Sequence, residues 1–244
     1  MKQEPPSASG SRRVRMAPDQ RRAHILNAAQ ALFFERGWED VTISDVLDAA
    51  GISKGGFYHH FAAKEDLLDA IVQRFTAEAL TAAQAARAAT SGDALARFNA
   101  FLAASSRWKA ERGARMKFFT DVMLRPGNDI LFARITAAAN AAVMPVLIDM
   151  IAQGVDEGTF DVPDTALVGE TITAMSQGRR VTLSDALRLA EGGDVDRASD
   201  ILYRRLVAEG EVIDRLLGLP RGSVALSNRR EYGLMLRAIV NPEP

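Results

Sequence analysis

Nine consecutive residues, Ser53-Lys54-Gly55-Gly56-Phe57-Tyr58-His59-His60-Phe61, crowd a hydroxyl, a cation, a phenol and two imidazoles around a pair of glycines. At helical spacing Phe57 and Phe61 are four apart and share a face, which must pack inward. Lys54, Gly55, Tyr58 and His59 then face outward. Donors of this kind suit phosphate oxygens and base edges, and positions without a Cβ let a backbone come close to a double helix. Two glycines inside a helix cost about 1 kcal/mol each relative to alanine, so local folding does not account for them. The bland alternative is a glycine loop whose aromatic and imidazole groups fill a core. What flanks the segment decides against it.

Asp19 to Arg36 carries Ile25, Ala29, Leu32 and Phe33 at helical spacing, with Gly37 as a stop, which predicts a first helix. Thr42 stands three residues before Asp45, so its hydroxyl caps a second helix whose apolar face is Ile43, Val46, Leu47 and Ala50. Gly51 tolerates the left-handed backbone that ends it. Ser53 caps the next helix. A capped helix, a glycine turn and a second capped helix within about 20 residues are what a helix-turn-helix requires. From Lys64 to about Ala89 follows a long amphipathic helix opened by Glu65 and Asp66 and carrying Leu67, Leu68, Ile71, Val72 and Phe75.

Thr42-Ile43-Ser44-Asp45-Val46, then Ala50 to Phe61, then Lys64-Glu65-Asp66-Leu67-Leu68 resemble the DNA-binding domain of TetR-type transcriptional regulators over about Arg21 to Phe75. The resemblance implies an all-α homodimer with an N-terminal helix-turn-helix domain and a larger C-terminal helical domain for ligand binding and dimerisation. It implies binding to a palindromic double-stranded DNA operator, repression in most members, and release when a small effector enters the C-terminal domain; activation is the alternative within the same fold. By the same resemblance the DNA-binding set is Thr42, Ser44, Ser53, Lys54, Gly55, Gly56, Tyr58, His59, His60 and Lys64. Thr42 and Tyr58 match the phosphate-contacting pair, Lys54 to Gly56 the entry to the groove, and Lys64 the phosphate anchor of the fourth helix. Ala63 departs from the polar cap common before that lysine. Gly56 departs from the usual small side chain and lowers direct base readout.

Beyond residue 80 the chain predicts helices near 93–112, 114–124, 128–157, 163–190, 195–218 and 229–240, with no alternating strand pattern. The expected organisation is a disordered basic arm over 1–18, the DNA-binding domain over 19–64, and the helical ligand-binding and dimerisation domain over 65–244. Met116, Phe119 and Met123 recur on one face; Met144, Leu147 and Met150 line another; with Met175 they are the candidate apolar lining of an effector pocket, since methionine adapts its shape. Each of them also reads as plain core. Pro145 removes a backbone donor inside the 128–157 pattern and predicts a kink beside that lining. Ile201, Leu202, Leu206, Ile213, Leu216 and Leu217, facing Ala166, Gly169, Thr173 and Met175, are expected at a four-helix dimer interface; a single-chain core is the competing reading.

Composition narrows the function classes. The 244 residues hold 48% hydrophobic and 25% charged side chains, the balance of a globular protein. There is no cysteine, which removes disulfides, thiolate zinc sites and thiol nucleophiles. The net charge of −1 conceals six basic against two acidic residues over 1–22, a local +4 that suits a polyanion. His24, His59 and His60 all precede the body, so it cannot build a histidine metal site or a histidine-based triad, and no cofactor motif is present. A carboxylate-only enzyme and a DNA-packaging protein remain as weaker readings, the second disfavoured by a body with 21 basic against 24 acidic residues beyond 64. No secretory signal opens the chain, and Asn140, Pro145 and Asp149 interrupt its most apolar stretch, so a cytoplasmic, bacterial protein without a membrane partner is expected.

Overall fold

The computed structural model describes residues 17–226 and 229–241, all helix and connection with no strand among them. The basic arm expected over 1–18 falls outside the described residues up to residue 16; Pro18 already belongs to a helix. The first four helices are α1 (Pro18–Arg36), α2 (Ile43–Ala50), α3 (Lys54–Tyr58) and α4 (Lys64–Ala89), followed by α5 (Ala94–Ala110), α6 (Gly113–Leu124) and α7 (Asp129–Asp156). The C-terminal part adds α8 (Thr165–Gln177), α9 (Arg180–Glu191), α10 (Val195–Leu216) and α11 (Arg229–Val240). The expected 163–190 helix is two helices, divided at Gly178 and Arg179.

Local chemistry sets the boundaries around α2 and α3. The Thr42 hydroxyl accepts from the Asp45 amide at 3.2 Å, while the Asp45 carboxylate takes the Thr42 amide at 2.7 Å, a reciprocal cap that satisfies two helix-start donors. Gly51 ends α2 at φ 60° and ψ 39°, where a Cβ is penalised. Ser53 then caps α3 by accepting from the Gly56 amide at 3.2 Å. Ala63 has no side chain to cap α4. Asp66 replaces it from inside the helix, accepting from the amides of Ala62 at 2.8 Å and Ala63 at 3.1 Å.

Three apolar clusters hold the helices. The first joins Ile25, Phe33, Val46, Phe57, Phe61, Leu67 and Ile71 from α1 to α4 and its flanking turns with Phe118, Phe119 and Val122 of α6 and Ile135 of α7. Phe33 and Phe34 meet the Phe118 ring at centroid distances of 6.0 and 5.1 Å. The DNA-binding module therefore shares its core with two helices of the body, and burying that much aromatic surface ties their positions together. The second cluster packs α5, α7, α8 and α10 through Phe98, Phe101, Leu147, Met150, Ile151, Val168, Ile213 and Leu217. The third packs α9, α10 and α11 through Leu187, Leu202 and Leu236.

The proposed interface stripe on α10 has a different use. Leu202, Leu206, Ile213 and Leu217 are buried within the single chain, so they are core, as the competing reading had it. The apolar groups that α8 and α10 leave outside are Leu167, Val207 and Val212. The period of the pattern was right, but a stripe that buries against a neighbouring helix cannot be told by spacing from one that buries against a partner.

Candidate nucleic-acid interface and effector region

The helix-turn-helix presents its polar side chains as the spacing requires. Phe57 and Phe61 are buried, with ring centroids 5.9 Å apart, and fix α3 on the domain core. Ser44, Ser53, Lys54, Gly55, Tyr58 and His59 are exposed, and Gly56 and His60 are half-buried. The Tyr58 ring packs edge-on to Phe57 at 5.3 Å, which leaves its phenol outward, and the His59 and His60 rings meet at 4.9 Å.

Among the described residues nothing calls for glycine at 55 or 56. A Cβ at Gly55 would meet no atom within 4 Å, and one at Gly56 would touch only the Ser53 hydroxyl at 3.4 Å and the Ile52 Cβ at 4.0 Å. Neither residue has a positive φ. The missing side chains leave the surface of α3 open to close approach from outside.

Two members of the set have internal partners, Thr42 the one its spacing to Asp45 indicates and Lys64 one that spacing does not reveal. The Thr42 hydroxyl donates to the Asp45 carboxylate at 2.6 Å, and these bonds, with Arg36 nearby, hold that carboxyl below its usual range. Thr42 is first of all the cap of α2. The half-buried Lys64 donates to the Trp38 carbonyl and lies over the Trp38 ring, 4.2 Å from its centroid. Burial pushes this ammonium's pKa down, against the opposing pull of Glu39 and Glu65. One N–H is committed to Trp38; the other two face no acceptor among the described residues. His24, outside the nominated set, places Nε2 3.0 Å from the Ala50 carbonyl and so links α1 to the end of α2.

The body contacts this unit through charge as well as packing. Arg134 of α7 donates to Asp69 at 2.5 Å and to Asp66 at 3.2 Å, both on α4. Asp66 is the same carboxylate that caps the chain after α3. A residue 68 positions away in sequence leaves no local signal, so only the fold reveals this link.

The seven nominated pocket residues are not brought together. Phe119 and Met123 belong with the first cluster, Met116 packs on the third, and Leu147, Met150 and Met175 lie with the second. Met144 is near Thr173, whose hydroxyl stands 3.9 Å from its sulfur. The space beside Met150, walled by Arg87, Arg97 and Phe98, has no volume a water could occupy. A cleft of about 240 Å³ does open between α6 and α9, but Thr120, Asp121, Arg125, Ser184, Arg188 and Glu191 make it largely polar. α6 turns Phe119 and Met123 to the first cluster and Met116 to the third, so the spacing on this helix serves two different cores.

Among known proteins, residues 25–71 match the family described as bacterial regulatory proteins, tetR family. The HTH-type transcriptional repressor KstR2 of Mycobacterium tuberculosis is 30% identical over 148 residues, spanning 61% of this chain and 73% of the relative. The HTH-type transcriptional activator FasR of Mycolicibacterium smegmatis is 40% identical over 68 residues, 28% of this chain and 31% of FasR. Among solved structures, RolR in complex with resorcinol superposes with a TM-score of 0.57 at 18% identity over 88% of this chain and 94% of that one. At that identity the likeness concerns the fold.

Proposed function

Because the chain belongs to the tetR family of bacterial regulatory proteins, DNA-binding regulators of transcription, we propose that it is a homodimeric repressor of a palindromic operator, released by a small effector. The observation that carries this reading is the outer surface of α3, where Gly55 and Gly56 are open for reasons no internal contact supplies. With Lys54, Tyr58 and His59 exposed beside them, α3 enters the major groove and reads bases by close backbone approach, while Ser44 and the remaining donors of Lys64 hold phosphates. Activation is the alternative outcome of the same binding; the similarity to FasR keeps it in view.

Dimerisation gives the two recognition helices their spacing. Two major grooves on one face of DNA lie about 34 Å apart, so one subunit covers half a site. The apolar groups left outside on α8 and α10, Leu167, Val207 and Val212, are the faces we assign to the partner subunit. Release by a ligand is supported by the physical link from the body to the DNA-binding unit: a shift of α7 pulls Arg134, and with it the carboxylate capping the chain after α3. RolR was crystallised with resorcinol, a small aromatic ligand, which supports an effector of modest size here.

The test is selection of fragments from a bacterial genome library by the purified protein, followed by band-shift titration of the enriched sequence. An inverted repeat bound by wild type and lost in Gly56→Val supports the reading. Equal binding of unrelated sequences by both proteins contradicts it.

A further inference from the structure

α6 and α9 both seat on α11, and between them lies the cleft of about 240 Å³. Its floor is apolar: Leu124 and the buried Leu187 belong with the third cluster. Its rim is ionic, with Asp121 and Arg125 on the α6 side and Arg188 and Glu191 on the α9 side. A space below the roughly 300–1,000 Å³ of a drug-sized pocket suits a small ligand.

The charges on that rim are unequally satisfied. Asp121 is neutralised by Lys117, whose ammonium meets its two carboxylate oxygens at 3.1 and 2.9 Å. Arg125 and Arg188 are not. The Arg125 guanidinium lies 3.7 Å from Glu39 and that of Arg188 3.2 Å from Asp185, and neither has a hydrogen bond to a described residue. Glu191 and the Ser184 hydroxyl, which also line the cleft, have no partner among the described residues. The unused groups around the apolar floor are therefore two forks of N–H donors, one carboxylate and one hydroxyl. They complement a molecule with a carboxylate at one end, a hydroxyl or amine donor at the other, and a short apolar middle.

The cleft reaches the DNA-binding unit through Arg125, which both lines it and pairs with Glu39 in the turn between α1 and α2. Glu39 follows Trp38, whose carbonyl accepts from Lys64 and whose ring lies under that ammonium. Another face of α6 carries Phe118 and Val122 into the core shared with Phe33 and Trp38. A bound carboxylate competes with Glu39 for the Arg125 guanidinium. It wins readily, because the existing pair is long and open to water, and such pairs are worth little. Glu39 is then uncompensated one residue from Trp38, where a free carboxylate opposes DNA phosphate.

We propose that this cleft is the effector site, holding a small carboxylate with Arg125 and Arg188 and its hydroxyl or amine donor with Glu191, and that the Arg125–Glu39 pair carries the signal to the helix-turn-helix. The proposal rests on the reading of the chain as an effector-controlled regulator and adds the place and chemical class of the effector. It sets the effector apart from the apolar lining that the methionines suggest.

4-Hydroxybenzoate, with a carboxylate and a hydroxyl at opposite ends of an apolar ring, and its neutral amide test it by calorimetry on the full-length protein. The acid should bind wild type saturably at millimolar concentration or below, and the amide about tenfold or more weakly, the worth of hydrogen bonds to a charged group. Arg188→Met should weaken the acid by a similar factor and leave the amide unchanged. Its melting temperature should match wild type, because Arg188 meets only Asp185 of its own helix. Glu39→Gln, outside the cleft, should bind the acid no less tightly, while the loss of operator affinity that the acid causes in wild type should disappear. No saturable binding of the acid, equal binding of acid and amide, or an unchanged acid affinity in Arg188→Met overturns the site. Binding that leaves the operator affinity of wild type unchanged overturns its role as the effector site, and an undiminished response in Glu39→Gln overturns the route through Arg125. Operator selection without added acid is independent of all these outcomes, so the regulator reading falls only if that selection fails.

Discussion

Gly55 and Gly56 are the residues at which sequence and structure bear on function most directly. Because a Cβ at either position meets open space or an ordinary contact, Gly55→Val and Gly56→Val should keep the helical content of wild type while specific operator affinity falls toward the non-specific level, about a thousandfold or more. Circular dichroism beside band-shift titration checks this; loss of helicity would return the pair to a structural role. The outward position of Gly55 was legible from the four-residue spacing of Phe57 and Phe61; Gly56 is half-buried. The Thr42 cap was legible too, from its spacing to Asp45, but the Lys64 bond was not, since Trp38 lies 26 positions from Lys64 and meets it only through the turn between α1 and α2. Titration separates such roles. Asp45 has its pKa lowered from 3.8 in the folded state, chiefly by its Thr42 hydrogen bonds, so its contribution is complete above that pH and is lost as pH falls through the lower folded value. Asp45→Asn should therefore unfold with a shallower acid limb than wild type. Lys109 has the opposite linkage: its pKa is lowered from 10.5, chiefly by burial, so the unfolded chain holds that proton more tightly and stability rises as pH climbs from the folded value toward 10.5. A melting series over alkaline pH should show that rise in wild type and a smaller one in Lys109→Met.

Helices were the most readable level, because apolar period, caps and glycine stops act within a few residues of one another. The α4 boundaries, Lys64 and Ala89, were legible in full. The break between α8 and α9 is not in the sequence reading: Gly178 stands at it, but Gly178 and Arg179 keep right-handed backbone angles, so the glycine does not end α8 by the usual left-handed turn. Also illegible was the tie between α7 and α4, which depends on Arg134 reaching Asp66 and Asp69. This pair of contacts is partly exposed, so Arg134→Met should cost little stability, about 1 kcal/mol or less. Its effect should appear locally. The Ala62 and Ala63 amides, held by Asp66, should exchange with solvent several-fold faster in the variant, and operator affinity should fall with them. Unchanged exchange at those two amides would remove Arg134 from the coupling between body and α3.

For the whole molecule, the position of the apolar surface separates the core of the chain from the surface proposed for a partner subunit. Leu206 is 4% and Ile213 1% exposed, so Leu206→Arg with Ile213→Arg should unfold the body rather than yield folded monomers. Leu167 is 59% and Val207 42% exposed, so Leu167→Arg with Val207→Arg should leave a folded chain that sediments as a monomer and binds the operator about a hundredfold or more weakly, since paired half-sites gain that much from effective concentration. Sequence spacing could not divide these two sets, because both repeat at the helical period and differ only in what covers them. The most direct measurement of the central claim is the sequence that the protein selects from genomic DNA, compared with the sequence selected by Gly56→Val. Wild type should enrich an inverted repeat whose half-site centres lie about one helical turn apart, or a multiple of it, and the variant should enrich nothing. Enrichment of an asymmetric site, of no site, or of the same site by both proteins would contradict the account.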